Sequence, residues 1–251
     1  MPKSRDQLKL LLLQIRDGAQ VRQEELESFA EYCGLRLDQI DVLNVFDTPE
    51  FENNIIDPYD ALLVGGASEA NVLLPDQYPF VDDCQRLISH CAECSIPVFA
   101  SCFGFQLAVL ALGGSILHKE KDFEMGTVPI SLANAAWDDS LFRDTPDQFY
   151  AVSVHKQYAN NLPRNCTTLA YTEQCIHAFR LKDKPFWAFQ FHPEVDKRVL
   201  VERLTFYKEK YTDGDGHLDQ VLSSAQETPE SNALMGKFVQ RILIEEEHLQ
   251  D

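Results

Sequence analysis

One stretch constrains the fold of this sequence more than any other: the turn between a short apolar run and a helix-like run. The apolar run covers residues 96–100 and is typical of a buried strand, whereas residues 103–112 have helical character and stop at a pair of glycines. A strand that passes through a sharp turn into a helix is typical of α/β proteins. Cys102 stands at this turn.

The position of Cys102 makes it a candidate nucleophile. A side chain on a sharp strand-to-helix turn projects above the sheet. Its backbone lies at a helix N-terminus, where the dipole and free N–H groups favour a thiolate. Ala100 and Gly104 are small enough to leave room for such a turn. A buried structural cysteine is the commoner role of a lone Cys, and this stretch alone does not decide between the two.

A second stretch favours the nucleophile. Residues 186–195 read Phe-Trp-Ala-Phe-Gln-Phe-His-Pro-Glu-Val, which predicts another buried strand that ends at His192, with Glu194 two residues later. A thiol nucleophile needs a base, and the base needs a third group that orients it. His192 and Glu194 supply both at one place.

With these three residues the sequence resembles the class I glutamine amidotransferases, whose turn reads roughly G-x-C-x-G-x-Q and whose triad is completed by F-H-P-E. The resemblance implies that Cys102 attacks a γ-glutamyl carbonyl, that His192 acts as acid and base, and that Glu194 orients His192. It runs over most of residues 8–195. The further segments that carry it are residues 62–66, 124–126, 154–155 and 175–179.

The resemblance also implies which residues bind the substrate. The backbone N–H groups of Gly66 and Phe103 would form the oxyanion hole. Gln106 would hold the α-amino acid end of the substrate, and His155 is assigned to binding and not to catalysis. The implied substrate-binding residues are Gly66, Gln106, Val154, His155, Lys156 and Gln157.

Two positions depart from the family pattern. Ala100 replaces a frequent glycine, a small change that the turn can accept. Lys156 follows His155 where members often have glycine. It could narrow or recharge that edge of the pocket, or be an ordinary solvated lysine.

The hydrophobic pattern predicts an α/β fold: a mostly parallel sheet with helices on both faces, flavodoxin-like and class I glutamine amidotransferase-like, with added short antiparallel strands. Parallel strands are expected at residues 8–15, 40–45 and 59–64, and helices at residues 20–33 and 76–94. The antiparallel strands are expected at residues 127–132, 149–154, 167–171 and 176–181.

We expect residues 1–251 to form a single domain, with a helical insertion at residues 196–227 and a terminal helix at residues 229–247. The insertion includes a predicted helix at residues 196–211 and a turn at residues 212–216. It could cover the active-site mouth, dock a partner, or do neither.

Composition narrows the classes of partner. The net charge of −18 argues against nucleic acid, because nothing offsets phosphate repulsion. Seven cysteines without framework spacing suit a reducing cytoplasm. Cys91 and Cys94 form a C-x-x-C without a second pair, so we expect no metal there and no cofactor. No apolar run is long enough for a membrane span, and we expect no signal peptide.

Three functions remain open. The first is a glutaminase that releases ammonia for a separate synthetase, since no segment is long enough to be a synthetase domain. The second is a stand-alone γ-glutamyl hydrolase or peptidase, which uses the same triad. The third is an inactive regulatory or binding protein, and the intact triad argues against it. A hydrolysis screen with glutamine and γ-glutamyl peptides separates them.

Overall fold

The structure is a computed structural model that describes residues 3–121, 123–206 and 217–246. The strands are β1 (Leu10–Gln14), β2 (Ile40–Asn44), β3 (Ala61–Val64), β4 (Val98–Ser101), β5 (Leu117–His118), β6 (Glu124–Leu132), β7 (Gln148–His155), β8 (Gln157–Tyr158), β9 (Cys166–Tyr171), β10 (Ile176–Leu181) and β11 (Phe186–Phe189).

Nine of these strands form one sheet in the order β2-β1-β3-β4-β11-β10-β9-β6-β7. From β2 to β11 all neighbours are parallel. From β11 to β7 all neighbours are antiparallel. A separate antiparallel pair joins β5 and β8. The predicted parallel core with antiparallel additions is confirmed.

The α-helices are α1 (Ala19–Cys33), α2 (Phe80–Cys94), α3 (Phe103–Ala111), α4 (Lys197–Phe206), α5 (His217–Ser224) and α6 (Pro229–Lys237), which continues into a π-helical segment, Phe238–Ile244. Short 3-10 helices lie at Arg5–Gln7, Leu37–Gln39, Asn53–Ile56 and Asn134–Asp138. Within the described parts of the chain, none of the helices combines the length and apolar character that crossing a membrane requires.

Strand β1 shows how the two faces of the parallel half are covered. Leu11 and Leu13 belong to one hydrophobic cluster with residues of α2 and α3. Leu10 and Leu12 belong to a second cluster with residues of α1 and α6. Alternate side chains of a strand point to opposite faces, and the wholly apolar run of β1 therefore reflects burial on both sides.

A third cluster covers β6 and β7, at the end of the antiparallel half of the sheet. Val199, Leu200 and Leu204 of α4 pack there with Val221 of α5 and Met125 of β6. The two described helices of the segment expected as an insertion thus pack against β6 and β7.

Several element boundaries differ from the prediction. Helix α2 begins at Phe80, because residues 74–78 form turns that precede it. Helix α4 is described from Lys197 to Phe206. The rest of the helix predicted at residues 196–211 and the predicted turn at residues 212–216 lie outside the described residues. Helix α5 was not predicted from the sequence. The terminal helix begins at Pro229, as expected.

Candidate active site

The turn between β4 and α3 places Cys102 in a strained backbone conformation. Its φ of 49° and ψ of −95° lie in a region that L-residues rarely adopt. Such a conformation costs about 1–3 kcal/mol and persists only where the surroundings enforce it. A Cβ atom at Gly104 would lie 2.8 Å from Val64 Cγ1, so glycine lets the turn approach β3 closely. The predicted sharp turn is present.

His192 and Glu194 form a buried pair beside Cys102. Nδ1 of His192 lies 2.7 Å from Oε1 of Glu194, and both residues are buried. His192 also interacts with the Cys102 thiol. The three residues that the sequence suggested as a triad therefore lie together.

Opposing effects set the pKa of His192. Burial alone would lower it, because desolvation disfavours the imidazolium. Interactions with Cys102 and Glu194 outweigh burial and raise the pKa of His192 to about 9. The imidazole is therefore protonated near neutral pH.

Glu194 is held by three groups. Besides His192, the hydroxyl of Ser101 donates a hydrogen bond of 2.6 Å to Oε2, and Nη1 of Arg203 lies 3.9 Å from Oε1. Burial alone would raise the pKa of Glu194, but His192, Arg203 and Ser101 together lower it to about 2. The carboxylate is therefore charged throughout the physiological range.

Backbone hydrogen bonds fix the two segments that carry these side chains. The N–H of Cys102 donates to the Phe189 carbonyl at 2.7 Å, which ties the turn to the end of β11. The N–H of His192 donates to the Val152 carbonyl of β7 at 2.8 Å. The turn that follows is held by Asn232 of α6, whose side-chain amide donates to the Pro193 carbonyl at 2.7 Å.

The two expected oxyanion donors lie next to this group. Phe103 is the first residue of α3, where a backbone N–H has no acceptor within the helix. At Gly66, a Cβ atom would lie 2.9 Å from His192 Cε1 and 3.0 Å from Arg16 Nη2. Only glycine fits there without displacing the imidazole or the guanidinium.

The residues expected to bind substrate divide into two groups. Gln106 is buried on α3, and its amide donates to the Gln157 carbonyl at 3.2 Å. The Val154 carbonyl lies 3.9 Å from Cys102 Sγ. The structure therefore brings Gln106, Val154 and the Gln157 backbone to the side of the candidate nucleophile.

The side chains of His155 and Lys156 contact acidic residues. Nε2 of His155 contacts Oε2 of Glu124 at 3.1 Å. The ammonium of Lys156 pairs with exposed Glu120 at 3.1 Å and lies over the Phe123 ring. Of the two interpretations of Lys156, the structure favours a surface lysine.

The sequence analysis missed the charged groups around the pair. Arg16 is 2% exposed, and its Nε lies 2.9 Å from Glu25 Oε1. Arg203 makes two hydrogen bonds to Glu24, at 2.7 and 3.1 Å. Arg16 directly follows an apolar run that ends at the site, and this charge at a strand end was the signal that could have identified it. Nothing local distinguishes Arg203.

A cavity opens beside His192, and helix α4 forms one of its walls. Arg16 and Ser68 line one side, and Leu200, Arg203 and Leu204 of α4 line the other. The helix that follows the candidate triad thus lines the cavity beside His192.

Comparison with known proteins identifies the family. The sequence model described as "Glutamine amidotransferase class-I" matches residues 31–208, well over half of the chain. The chain belongs to this family. The resemblance based on Cys102, His192 and Glu194 is therefore confirmed at the level of the family.

Curated relatives of this family member include GMP synthases. The glutamine-hydrolysing GMP synthase subunit of Pyrococcus abyssi is 28% identical over 149 residues, which are 59% of this chain and 72% of that protein. The GMP synthase subunit of the same type from Methanocaldococcus jannaschii is 29% identical over 119 residues, 47% of this chain and 61% of that protein. Against the GMP synthase of Prochlorococcus marinus strain MIT 9515, the match is 28% identical over 155 residues, 61% of this chain, and spans only 27% of that protein.

Solved structures agree on the fold. A glutamine amidotransferase from Thermotoga maritima superposes with a TM-score of 0.76 at 20% identity, over 94% of this chain and 98% of that one. A glutamine amidotransferase from Methylobacillus flagellatus superposes with a TM-score of 0.69 at 17% identity, over 94% and 95% of the two chains. The expected class I glutamine amidotransferase fold is confirmed.

Proposed function

We propose that this amidotransferase homologue hydrolyses the side-chain amide of glutamine through a thioester on Cys102. One observation carries the proposal: a cysteine held at positive φ interacts with a buried imidazole that a carboxylate holds at 2.7 Å. This is the arrangement that an activated thiol nucleophile requires.

The proposed reaction has two halves. The Cys102 thiolate forms a bond to the amide carbon, while the N–H groups of Gly66 and Phe103 stabilise the oxyanion. The C–N bond then breaks as His192 gives its proton to the departing nitrogen, and ammonia leaves. In the second half His192 takes a proton from water, the water oxygen attacks the thioester, and the C–S bond breaks to release glutamate.

Cys175 does not suit the role, although it also lies near a histidine and a glutamate. It precedes β10 in a turn, and not at the start of a helix. Burial, with a contribution from Glu124, raises the pKa of the Cys175 thiol to about 12, so that the thiol keeps its proton. Cys102 is therefore the better candidate among the seven cysteines.

The ammonia acceptor is proposed to be bound by a separate synthetase chain. The relatives from Pyrococcus abyssi and Methanocaldococcus jannaschii are named as subunits of GMP synthase, which supports a partner that is a distinct chain. A synthetase of the GMP synthase type is the first partner to test. The seven free thiols fit a reducing compartment such as the cytoplasm.

A stand-alone γ-glutamyl hydrolase is the second candidate, and α4 favours it. Leu200, Arg203 and Leu204 wall the cavity beside His192, so the chain itself covers a side of the site. We propose that residues 196–227 are an insertion within a single domain and that this insertion shields the site.

A substrate screen tests both candidates. Purified protein is incubated with glutamine, γ-glutamyl dipeptides and glutathione conjugates, with and without a synthetase of the GMP synthase type. Glutamine turnover that the synthetase stimulates supports the first candidate, and unaided turnover of γ-glutamyl peptides supports the second. Absence of hydrolysis under every condition would contradict both candidates and would favour an inactive regulatory or binding protein.

A further inference from the structure

A second group of reactive side chains is buried on the antiparallel side of the molecule. Glu124 begins β6, His155 ends β7, His177 lies in β10, and Cys175 directly precedes β10. One donor atom from each lies within 4.8 Å of the others. We propose that these four side chains form a binding site for a divalent cation of the zinc class.

The donor set suits zinc in both type and number. Zinc binds thiolate, imidazole and carboxylate ligands, and structural sites hold four of them in a tetrahedron. Metal–ligand bonds of about 2.0–2.3 Å place tetrahedral ligand atoms roughly 3.3–3.7 Å apart. Glu124 Oε2 lies 2.7 Å from His177 Nε2 and 3.1 Å from His155 Nε2. These contacts need to lengthen by less than about 1 Å to admit the ion.

The two imidazoles are not satisfied by the protein groups around them. Both rings direct Nε2 at the same oxygen of Glu124. The Nδ1 atoms of His155 and His177 are buried without a hydrogen-bond partner among the described residues. Thr172 donates to the other Glu124 oxygen at 2.8 Å, which leaves one carboxylate oxygen for both rings. Each Nδ1 atom lies across its ring from Nε2, so the atoms offered to an ion are the two Nε2 atoms that converge on one carboxylate oxygen.

The charges of the site match a dication. With an ion bound, Glu124 supplies a carboxylate, Cys175 a thiolate, and His155 and His177 two uncharged imidazoles. Metal ligands bind in their deprotonated forms, so the Cys175 proton is released when the ion binds. The four ligands then carry two negative charges in total, which a dication neutralises.

An ion can reach the cluster from the surface. Glu124, His155 and Cys175 form the inner wall of a cleft whose outer residues include Lys119, Tyr158 and Gln174. The Lys119 ammonium is held by Gln174 at 2.9 Å. The cleft thus supplies the entry path that a buried metal site needs.

A cation here would stiffen one wall of the candidate active site. His155 follows Val154, whose carbonyl lies 3.9 Å from Cys102 Sγ. The four ligands come from the starts and ends of β6, β7 and β10, so a single ion would lock these chain segments together. The role is structural, and it does not depend on which substrate the site cleaves.

Metal titration tests the proposal on the full chain. Cys102→Ser and Cys94→Ser are introduced first, because Cys102 lies beside His192 and the exposed Cys94 thiol lies 3.7 Å from His90. We expect one equivalent of Zn²⁺ to bind. Co²⁺ in its place should give a thiolate-to-metal absorption band and the intense visible bands of a tetrahedral ion.

Substitution of the ligands assigns the site. In that background, Cys175→Ser should abolish the thiolate band, and His177→Gln should weaken Zn²⁺ binding by more than about 100-fold, since even partners of ligands cost 10–100-fold. Cys166→Ser, at a half-buried cysteine outside the cluster, is the matched control and should change neither property. Tight binding that survives both ligand substitutions would overturn the proposal.

Thermal unfolding provides a second readout, which requires no substitution of the metal-binding residues. Zn²⁺ that binds only the folded chain raises the unfolding midpoint, and a chelator reverses the effect. Failure of Zn²⁺ to bind stoichiometrically or to shift the midpoint would disprove the site. Because neither readout uses glutamine hydrolysis, a negative result here leaves the proposed glutaminase reaction untouched.

Discussion

The hydroxyl of Ser101 donates a 2.6 Å hydrogen bond to Oε2 of Glu194, across 93 positions of sequence. Ser101 directly precedes Cys102, and Oε1 of the same carboxylate holds His192. The residue before the candidate nucleophile therefore fixes the group that orients the candidate base. We expect a shift of the turn to displace the imidazole through this carboxylate.

Replacement of Ser101 should expose this coupling. Ser101→Ala removes a hydrogen bond to a buried charge, which should cost about 1–3 kcal/mol of unfolding free energy and lower kcat roughly 10-fold. Urea denaturation and steady-state kinetics measure the two effects. Ser89→Ala, which removes a hydrogen bond to the Ala111 carbonyl far from the site, should lower stability without lowering kcat. An unchanged kcat in Ser101→Ala would contradict the coupling.

Cys102→Ala should abolish hydrolysis of glutamine, because no other group can form the thioester. The fold should be retained, since the side chain removed is small. A diazo-ketone analogue of glutamine should label the unsubstituted chain at Cys102, as read by peptide mass spectrometry. Labelling of any of the other six cysteines, or turnover by the alanine variant, would disprove the assignment. Cys166→Ser is the matched control and should be labelled at Cys102 as before.

His192 should matter more than Glu194. His192→Ala removes the acid and base of both half-reactions and should lower kcat/KM by about 10³–10⁴-fold. Glu194→Gln keeps a hydrogen-bonding group beside the imidazole and removes only its charge, so the loss should be smaller, about 10²-fold. Steady-state kinetics on the proposed substrate measure both. Full activity of His192→Ala would rule out the triad.

The raised pKa of His192 predicts an alkaline limit to activity. Below a pKa of about 9 the imidazole holds the proton that the departing ammonia needs, and above it that proton is lost. We therefore expect kcat/KM to fall as the pH rises through about 9. A profile in which activity keeps rising to pH 10 would contradict a protonated His192 as the acid.

The same shift has a consequence for stability. The folded pKa of His192 lies above its ordinary value of 6.5, so its contribution is fully present below pH 6.5 and is lost as the pH rises through about 9. Glu194 behaves oppositely, since its contribution is present above pH 4.5 and is lost as the pH falls towards about 2. The difference in unfolding free energy between the unsubstituted chain and His192→Gln should therefore shrink between pH 6.5 and 9.

Gly66→Ala should damage the site more than the fold. The new Cβ atom would lie 2.9 Å from His192 Cε1, so the imidazole or the loop must move, and kcat should fall about 10²-fold or more. Gly236→Ala is the matched control. A Cβ atom there meets only the Tyr32 carbonyl at 3.5 Å, and it should stabilise α6 by about 0.5–1 kcal/mol without affecting kcat. Equal activity of the two variants would show that Gly66 has no role in the active site.

Local patterns were enough to predict the parallel core. The apolar run of β1 and the helix α1 that ends at Gly34, with φ of 63°, follow from residues within a few positions of each other. The turn at Cys102 and the start of α6 at Pro229 were predicted for the same reason. In each case neighbouring side chains determine the backbone.

Contacts between distant segments could not be predicted. Arg203 reaches Glu24 across 179 positions, and Glu124 meets His177 across 53. The position of α5 depends on packing of Val221 against Met125, which no local periodicity encodes. The sequence alone was enough to name the residues expected to react. The buried charges around them could not be predicted, because they come together only in the folded sheet.

The hydrogen bond from the Cys102 amide to the Phe189 carbonyl has an evolutionary consequence. The distance between the candidate nucleophile and base is set by the spacing of two adjacent strands, β4 and β11. Replacement of side chains changes this spacing little. Helices and loops can then diverge widely while the spacing of β4 and β11 is kept. The superposition of the fold at TM-scores of 0.69–0.76 with only 17–20% identity agrees with such divergence.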